Sequence, residues 1–216
     1  MTHDQFDFSK AKRRSVFEAW MLDSSAKQVH ARHGARKQEI LGQMTGTVVE
    51  LGPGTGANMR YYAPGVKVIG IEPNPAMHAK LRAAADADDV DLEIRTVRGE
   101  RIDVGDSEAD AVVATLVLCG VDDPQQVVSE IKRILKPGGT YFFFEHVIAP
   151  ERTMTRRIQR VMKRPHRWAF NGCEVDRDTT ALLEAAGFST IDIVAVDDGF
   201  TGGMYCPNRI IGTATR

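Results

Sequence analysis

The sequence predicts a doubly wound α/β fold, a seven-stranded sheet with helices on both faces. Three observations carry that prediction. Short β-branched runs alternate with amphipathic stretches that have helix start and stop signals. Several runs are apolar on both faces, as a covered parallel sheet requires. A glycine-rich turn directly after the first run places a ligand site at the carboxyl end of that strand.

At 216 residues the chain is long enough for one large core. Hydrophobic residues at 43% and charged residues at 26% are ordinary for a soluble globular domain, which disfavours disorder, collagen and coiled coil. A net charge of −1, from 28 Lys and Arg against 29 Asp and Glu, leads us to expect no nucleic-acid partner. The longest largely apolar stretch, Ala111 to Cys119, falls well short of the roughly 18 residues of a membrane-spanning helix. The opening MTHDQFDFSKAKRR lacks an apolar core behind a basic start, so no secretory signal is expected and a cytoplasmic location is. Cys119, Cys173 and Cys206 are far apart and never in a C-x-x-C pair. That spacing indicates neither a zinc site nor a disulfide framework, and no metal is expected.

Taken in order, residues 1–45 read as an amino-terminal helical cap. Phe17, Trp20 and Met21 are spaced for one apolar face, which packs on the sheet edge or folds over a pocket. Residues 46–216 hold the sheet, with strands expected at 47–51, 66–71, 92–97, 110–118 and 140–148. Asn74-Pro75 and Asp123-Pro124 each set a cap residue before a first-turn proline. After the second, Val127, Val128, Ile131, Ile134 and Leu135 recur at helical spacing until Lys136-Pro137-Gly138-Gly139 stops the helix. A later helix is expected from about Arg177 to Ala186, capped by Asp176 and ended by Gly187. Between them lies a basic insertion over 150–172, and 191–196 and 208–216 read as closing strands.

The sharpest feature is VVELGPGTGAN at 48–58, an expected strand running into Gly52, Gly54 and Gly56 and then an expected helix. Such a loop lets backbone N–H groups approach an anion or a nucleoside. Gly52-x-Gly54-x-x-Ala57 also fits the relaxed dinucleotide fingerprint, so an NAD-dependent oxidoreductase is a competing reading. Glu72, 20 residues after Gly52, suits ribose hydroxyls in either case. Glu50 separates them: a buried carboxylate there suits the cationic amino end of S-adenosyl-L-methionine, and a pyrophosphate has no use for it. The roughly seventy residues after the fifth strand also leave little room for a hydride-transfer substrate domain.

These segments resemble the class I S-adenosylmethionine-dependent methyltransferases with a type 11 domain, the kind that includes ubiquinone and menaquinone methyltransferases. ELGPGTG resembles that family's first motif, IEPNP its acidic second-strand motif and Arg98-Gly99-Glu100 its adenine loop. DAVVATLVL and LKPGGTYFFFEHV resemble its fourth and fifth strands. The patterns TLVLCGV and FNGCEVDRDT are similar to the methyltransferase-like thiol methyltransferases of animal membranes. The resemblance implies a Rossmann-like sheet, mostly parallel with the last strand antiparallel, and S-adenosyl-L-methionine as donor with S-adenosyl-L-homocysteine as product. It implies cofactor contacts at Glu50, Gly52, Pro53, Gly54, Gly56, Asn58, Glu72, Pro73, Asn74, Arg98, Gly99, Glu100, Thr115 and Leu116. Arg98 has no acceptor for an adenine amino group, so recognition there falls to backbone groups or Glu100.

The implied reaction is methyl transfer to a small-molecule acceptor, with a thiol favoured slightly over a quinone-type ring or a lipid amine. A thiol, with a pKa near about 8.5, needs little help to ionise. His146 and Glu145, at the end of the fifth strand, either assist as catalytic groups or fix the following loop by hydrogen bonds. Cys119 either lines the same pocket or is a small buried hydrophobe.

Between Pro150 and Trp168 stand seven Lys or Arg residues against one acid, with Met154, Ile158, Val161 and Met162 interleaved. A basic amphipathic helix of this kind lies on an anionic membrane, receives an acidic substrate, touches RNA, or is a solvated face over the active site.

Overall fold

The computed structural model describes residues 27, 29–169, 172–196, 200–201, 204–205 and 208–216. Helix α1 (29–41) leads into β1 (Thr47–Leu51), β2 (Lys67–Ile71), α2 (Pro75–Ala87), β3 (Asp91–Arg95) and β4 (Ala109–Thr115). There follow α3 (Pro124–Ile134), β5 (Leu135–His146), α4 (Met154–Ala169), α5 (Thr179–Ala185), β6 (Thr190–Val196) and β9 (Arg209–Thr215), with a short ribbon of β7 (Phe200–Thr201) and β8 (Met204–Tyr205) before the last. The expected apolar face at Phe17, Trp20 and Met21 lies outside the described residues.

The seven-stranded sheet has the order β3-β2-β1-β4-β5-β9-β6. Its β1, β2, β3, β4 and β5 neighbours pair in parallel, and β9 runs antiparallel to both β5 and β6. The expected mixed sheet, with its last strand reversed, is therefore present. Successive residues of β5 feed opposite faces: Tyr141 and Phe143 join one apolar cluster with Val127, Ile131 and Leu183, while Phe142 and Phe144 join the other with Leu41, Met59 and Leu81. That double coverage is why the strand reads as an unbroken apolar run. Among the described residues no helix is long and apolar enough to cross a membrane.

Both predicted proline-capped helices form as expected: Asn74 and Asp123 each accept a backbone N–H, from Ala76 and Gln126, with proline in the first turn. Several boundaries differ; β4, for one, ends at Thr115 rather than at 118. The late helix begins at Thr179, and its cap is Asp178, whose carboxylate accepts Ala181 N–H; Asp176 is instead bonded to Lys163 of α4. After the glycine loop no long helix follows. Turns lead to a 3-10 segment at Met59–Tyr61, because Pro64-Gly65 disfavours helix at the preceding residue and turns the chain into β2.

Candidate active site

At the carboxyl ends of β1, β2 and β4 the structure opens a cavity of about 930 Å³, within the usual size for a small-molecule site. Twelve of the fourteen expected cofactor residues line it: Glu50, Gly52, Pro53, Gly54, Asn58, Glu72, Pro73, Arg98, Gly99, Glu100, Thr115 and Leu116. Gly56 and Asn74 do not. A Cβ on Gly56 would stand 2.6 Å from that of Ala84, and its φ is +87°, so this glycine serves the packing of the loop on α2. Asn74 caps α2, and its backbone N–H donates to Glu72 Oε1 at 2.8 Å.

Glu72 directly follows β2 and is tied to the loop: Gly54 N–H donates to its Oε2 at 3.0 Å. Two backbone donors thus fix the carboxylate on the cavity wall before any ligand arrives, a preorganisation that lowers the ordering cost of binding. Leu116, just past β4, has φ +58°, a conformation a branched side chain adopts only when its surroundings impose it. Its N–H donates to Phe144 O at 2.8 Å, which holds that turn against β5.

Glu50 sits fully inside β1, and both of its oxygens are engaged. Asn58 donates to Oε1 at 2.8 Å and Tyr62 to Oε2 at 2.7 Å. Asn58 also donates to Thr115 Oγ1 at 3.1 Å and accepts from Lys37 Nζ at 2.8 Å. Burial pushes the Glu50 carboxyl up, against the pull of Tyr62, Asn58 and the Lys37 charge. Burial holds Lys37 down to about 8, in spite of the Glu50 charge. Lys37 lies in the charged helical preface, and sequence reasoning missed it; a lone lysine among exposed charged residues carries no signal of burial.

The other wall is basic. Arg164 and Arg167 of α4, with Arg177, reach the same cavity. Arg177 donates to Leu118 O at 2.7 Å and pairs with Glu174 at 3.2 Å, and Arg167 pairs with Glu174 at 3.2 Å. Helix α4 is pinned by the buried Gln159, which accepts from Ala149 N–H and donates to Val147 O and Val175 O. Two of the interleaved apolar side chains face outward: Met154 is 68% and Val161 75% exposed. A buried polar anchor, rather than an apolar stripe, seats this helix.

Arg98 pairs with Asp122 at 2.6 Å and Glu100 at 3.4 Å, and Glu100 accepts Asp122 N–H at 3.1 Å. The loop at 98–100, expected to meet adenine, is thereby clasped to the turn after β4.

Neither Glu145 nor His146 is on the cavity wall. Glu145 Oε1 accepts the N–H groups of Val117 and Leu118 at 2.9 and 3.0 Å, while Oε2 has no hydrogen-bond partner among the described residues. Burial raises this carboxyl to about 8. Val117 lines the cavity, so Glu145 acts on the site by fixing that turn. His146 is buried, its pKa lowered by burial, with Nδ1 3.5 Å from Cys173 Sγ. Cys119 also stands off the wall, its Sγ 3.1 Å from that of Cys173, so the fold brings together two cysteines that are 54 residues apart in sequence.

Residues 49–143 match the family described as a methyltransferase domain. The chain is 37% identical over 173 residues to the thiol S-methyltransferase TMT1A of Homo sapiens, covering 79% of this chain and 70% of that protein. It is 40% identical over 150 residues to TMT1B of Rattus norvegicus, covering 68% of this chain and 62% of that protein's length. The geranyl diphosphate C-methyltransferase of Streptomyces coelicolor A3(2), solved with S-adenosyl-L-homocysteine, shares the fold at TM-score 0.65 and 18% identity, over 87% of this chain and 80% of that one. A SAM-dependent methyltransferase of Thermotoga maritima does so at TM-score 0.61 and 19% identity, over 93% and 98%. With its sheet order, its loop and acid at the carboxyl edge, and these relatives, the chain belongs to the class I S-adenosylmethionine-dependent methyltransferases.

Proposed function

We propose that the protein methylates a small thiol, with S-adenosyl-L-methionine held between the loop at Gly52–Gly54 and Glu72. The observation that carries the reading is the single cavity that joins Glu50, Glu72 and the Arg98-Gly99-Glu100 loop to a basic wall. The donor set fits the cofactor. Glu72 offers a preset carboxylate for sugar hydroxyls, the buried Glu50 favours a cationic amino group, and Asn58 and Thr115 add polar atoms beside it. It fits a pyrophosphate poorly, because the loop leads into one 3-10 turn with little dipole to offer and faces a buried acid.

When bound, the cofactor supplies an electrophilic methyl on a sulfonium. The protein's own share is positioning, which is worth on the order of 7 to 11 kcal/mol when two reactants are held in near-attack geometry. Glu145 contributes through Val117 and Leu118. Arg164, Arg167 and Arg177 favour the ionised form of an acceptor thiol by their positive field. The similarity to thiol S-methyltransferases supports this choice of acceptor.

The test is a labelled-methyl transfer screen over thiols, phenols, quinols and amines, beside calorimetric titration with S-adenosyl-L-homocysteine and NADH. Turnover confined to phenols or amines would overturn the acceptor assignment, and binding of NADH alone the cofactor.

A second reading concerns where the acceptor is met. The exposed Met154, Val161 and Met162 on the arginine-rich α4 support contact with an anionic membrane surface. Co-sedimentation with anionic liposomes should fall at high salt and on neutralising Arg156, Arg157 and Arg160; unchanged binding counts against it.

A further inference from the structure

Behind the cavity wall, three metal-binding side chains converge from separate parts of the chain. Cys119 follows β4, His146 ends β5 and Cys173 follows α4, and one ligand atom from each lies within 4.8 Å of the other two. The sulfurs are 3.1 Å apart, and Cys173 Sγ is 3.5 Å from His146 Nδ1. Cys119 is 1% and His146 6% exposed. Methyl transfer as derived above uses none of the three.

A disulfide needs its sulfurs at about 2.05 Å, so this pair would have to close by about 1 Å, and His146 would have no part in it. Tetrahedral Zn²⁺, with Zn–S of about 2.3 Å and Zn–N of about 2.0 Å, sets the sulfur–sulfur edge near about 3.8 Å and the sulfur–nitrogen edge near about 3.5 Å. The sulfur–nitrogen edge between Cys173 and His146 is already in place. The first requires an opening of about 0.7 Å, a smaller movement than disulfide closure. We propose that Cys119, Cys173 and His146 bind a thiophilic closed-shell divalent cation, Zn²⁺, with His166 as the fourth ligand. His166 stands beside the triad: its ring is 6.3 Å from that of His146 and edge-on, and its Nδ1 is 3.3 Å from Cys173 O.

Charge supports the assignment. Two thiolates balance one divalent cation, which removes the penalty of burying them together. Two sulfurs and two imidazoles select Zn²⁺ over Mg²⁺ or Ca²⁺, which take oxygen ligands. Bound there, the ion ties the turn after β4, the end of β5 and the loop after α4 into one unit. Val117, Gly172 and Glu174, which line the cavity, belong to those segments. The cation is therefore a clasp for the acceptor wall, and its binding does not depend on which acceptor is methylated.

The test uses the full chain, reduced, stripped with chelator and titrated with Co²⁺ and then Zn²⁺. We expect one Co²⁺ per chain, the visible absorption of tetrahedral coordination, a near-ultraviolet sulfur charge-transfer band sized for two Co–S bonds, and bleaching by Zn²⁺. Cys119→Ser and Cys173→Ser should each lose at least half of that band, and Cys206→Ser should keep it. Absence of Co²⁺ uptake by the reduced wild-type chain overturns the proposal, as does an octahedral spectrum without charge transfer. Retention of the full band in Cys119→Ser overturns it too. The wild-type spectrum decides the matter even where a variant fails to fold.

Discussion

On the donor wall, Lys37, Asn58, Glu50 and Tyr62 are buried and bonded to one another in an unbroken series, and Glu72 is held by two backbone amides. On the facing wall, Arg164 and Arg167 reach the same cavity from an exposed helix anchored through Gln159. Apart from Lys37, which α1 brings in, the first set rises from strands and the segments joined to them, so its geometry is imposed by the sheet. The second stands on an insertion whose position the sheet does not dictate. On the proposed reading the donor meets a frame fixed by the sheet, and the acceptor a separate insertion that can change without disturbing that frame.

The contrast is broken most severely at Glu72. Replacing it by Ala should weaken S-adenosyl-L-homocysteine binding on the order of 100-fold, since hydrogen bonds to a charged group are worth about 1.5 to 3 kcal/mol each. Calorimetric affinity within twofold of wild type would place the ribose elsewhere.

Next comes Lys37→Met. Removing one partner of a buried charge network should cost about 2 to 4 kcal/mol in urea unfolding. The sign of its pH dependence follows from the lowered folded value of about 8 against 10.5. Between those pH values the unfolded chain keeps a proton that the folded chain has released, so the stability due to Lys37 rises with pH across that window. The gap between wild type and Lys37→Met should therefore widen from pH 8 to 10; a constant gap would mean that the amine titrates normally.

The acceptor wall is sharpened by Arg164→Ala with Arg167→Ala. Each exposed contact is worth under about 1 kcal/mol, so the acceptor KM should rise roughly three- to tenfold while cofactor affinity stays put. Loss of cofactor affinity would show that the two walls are not separate. Smallest of all is Arg98→Ala, whose half-exposed pairs should change cofactor affinity by no more than about threefold; calorimetry at low and high salt checks it.

Much of the donor wall was legible in the sequence because local rules produce it. β-branched runs flanked by turns are strands, Asn-Pro and Asp-Pro are caps, and an acid at the end of the second strand falls beside the first turn by topology. Where local rules met a competing one they misled. The segment after Gly56 has good helix formers, and Pro64-Gly65 cuts it short. Asp176 and Asp178 are equivalent as caps on paper, and only the reach of Lys163 to the former separates them. The interior cation at position 37 and the Cys119–Cys173 contact had no local signature, because long-range packing creates both. The sequence does not say which way Met154 and Val161 turn, for the same reason: periodicity marks a stripe but not the side that meets the sheet.

The order β5-β9-β6 has a consequence for how the molecule is made. Strand β9 is last in sequence yet lies between β5 and β6, so until it inserts those two strands carry facing, unpaired edges, one on the aromatic β5 and one on β6. Such edges are sticky. Premature annealing of β6 to β5 before β9 inserts is the misassembly this topology invites.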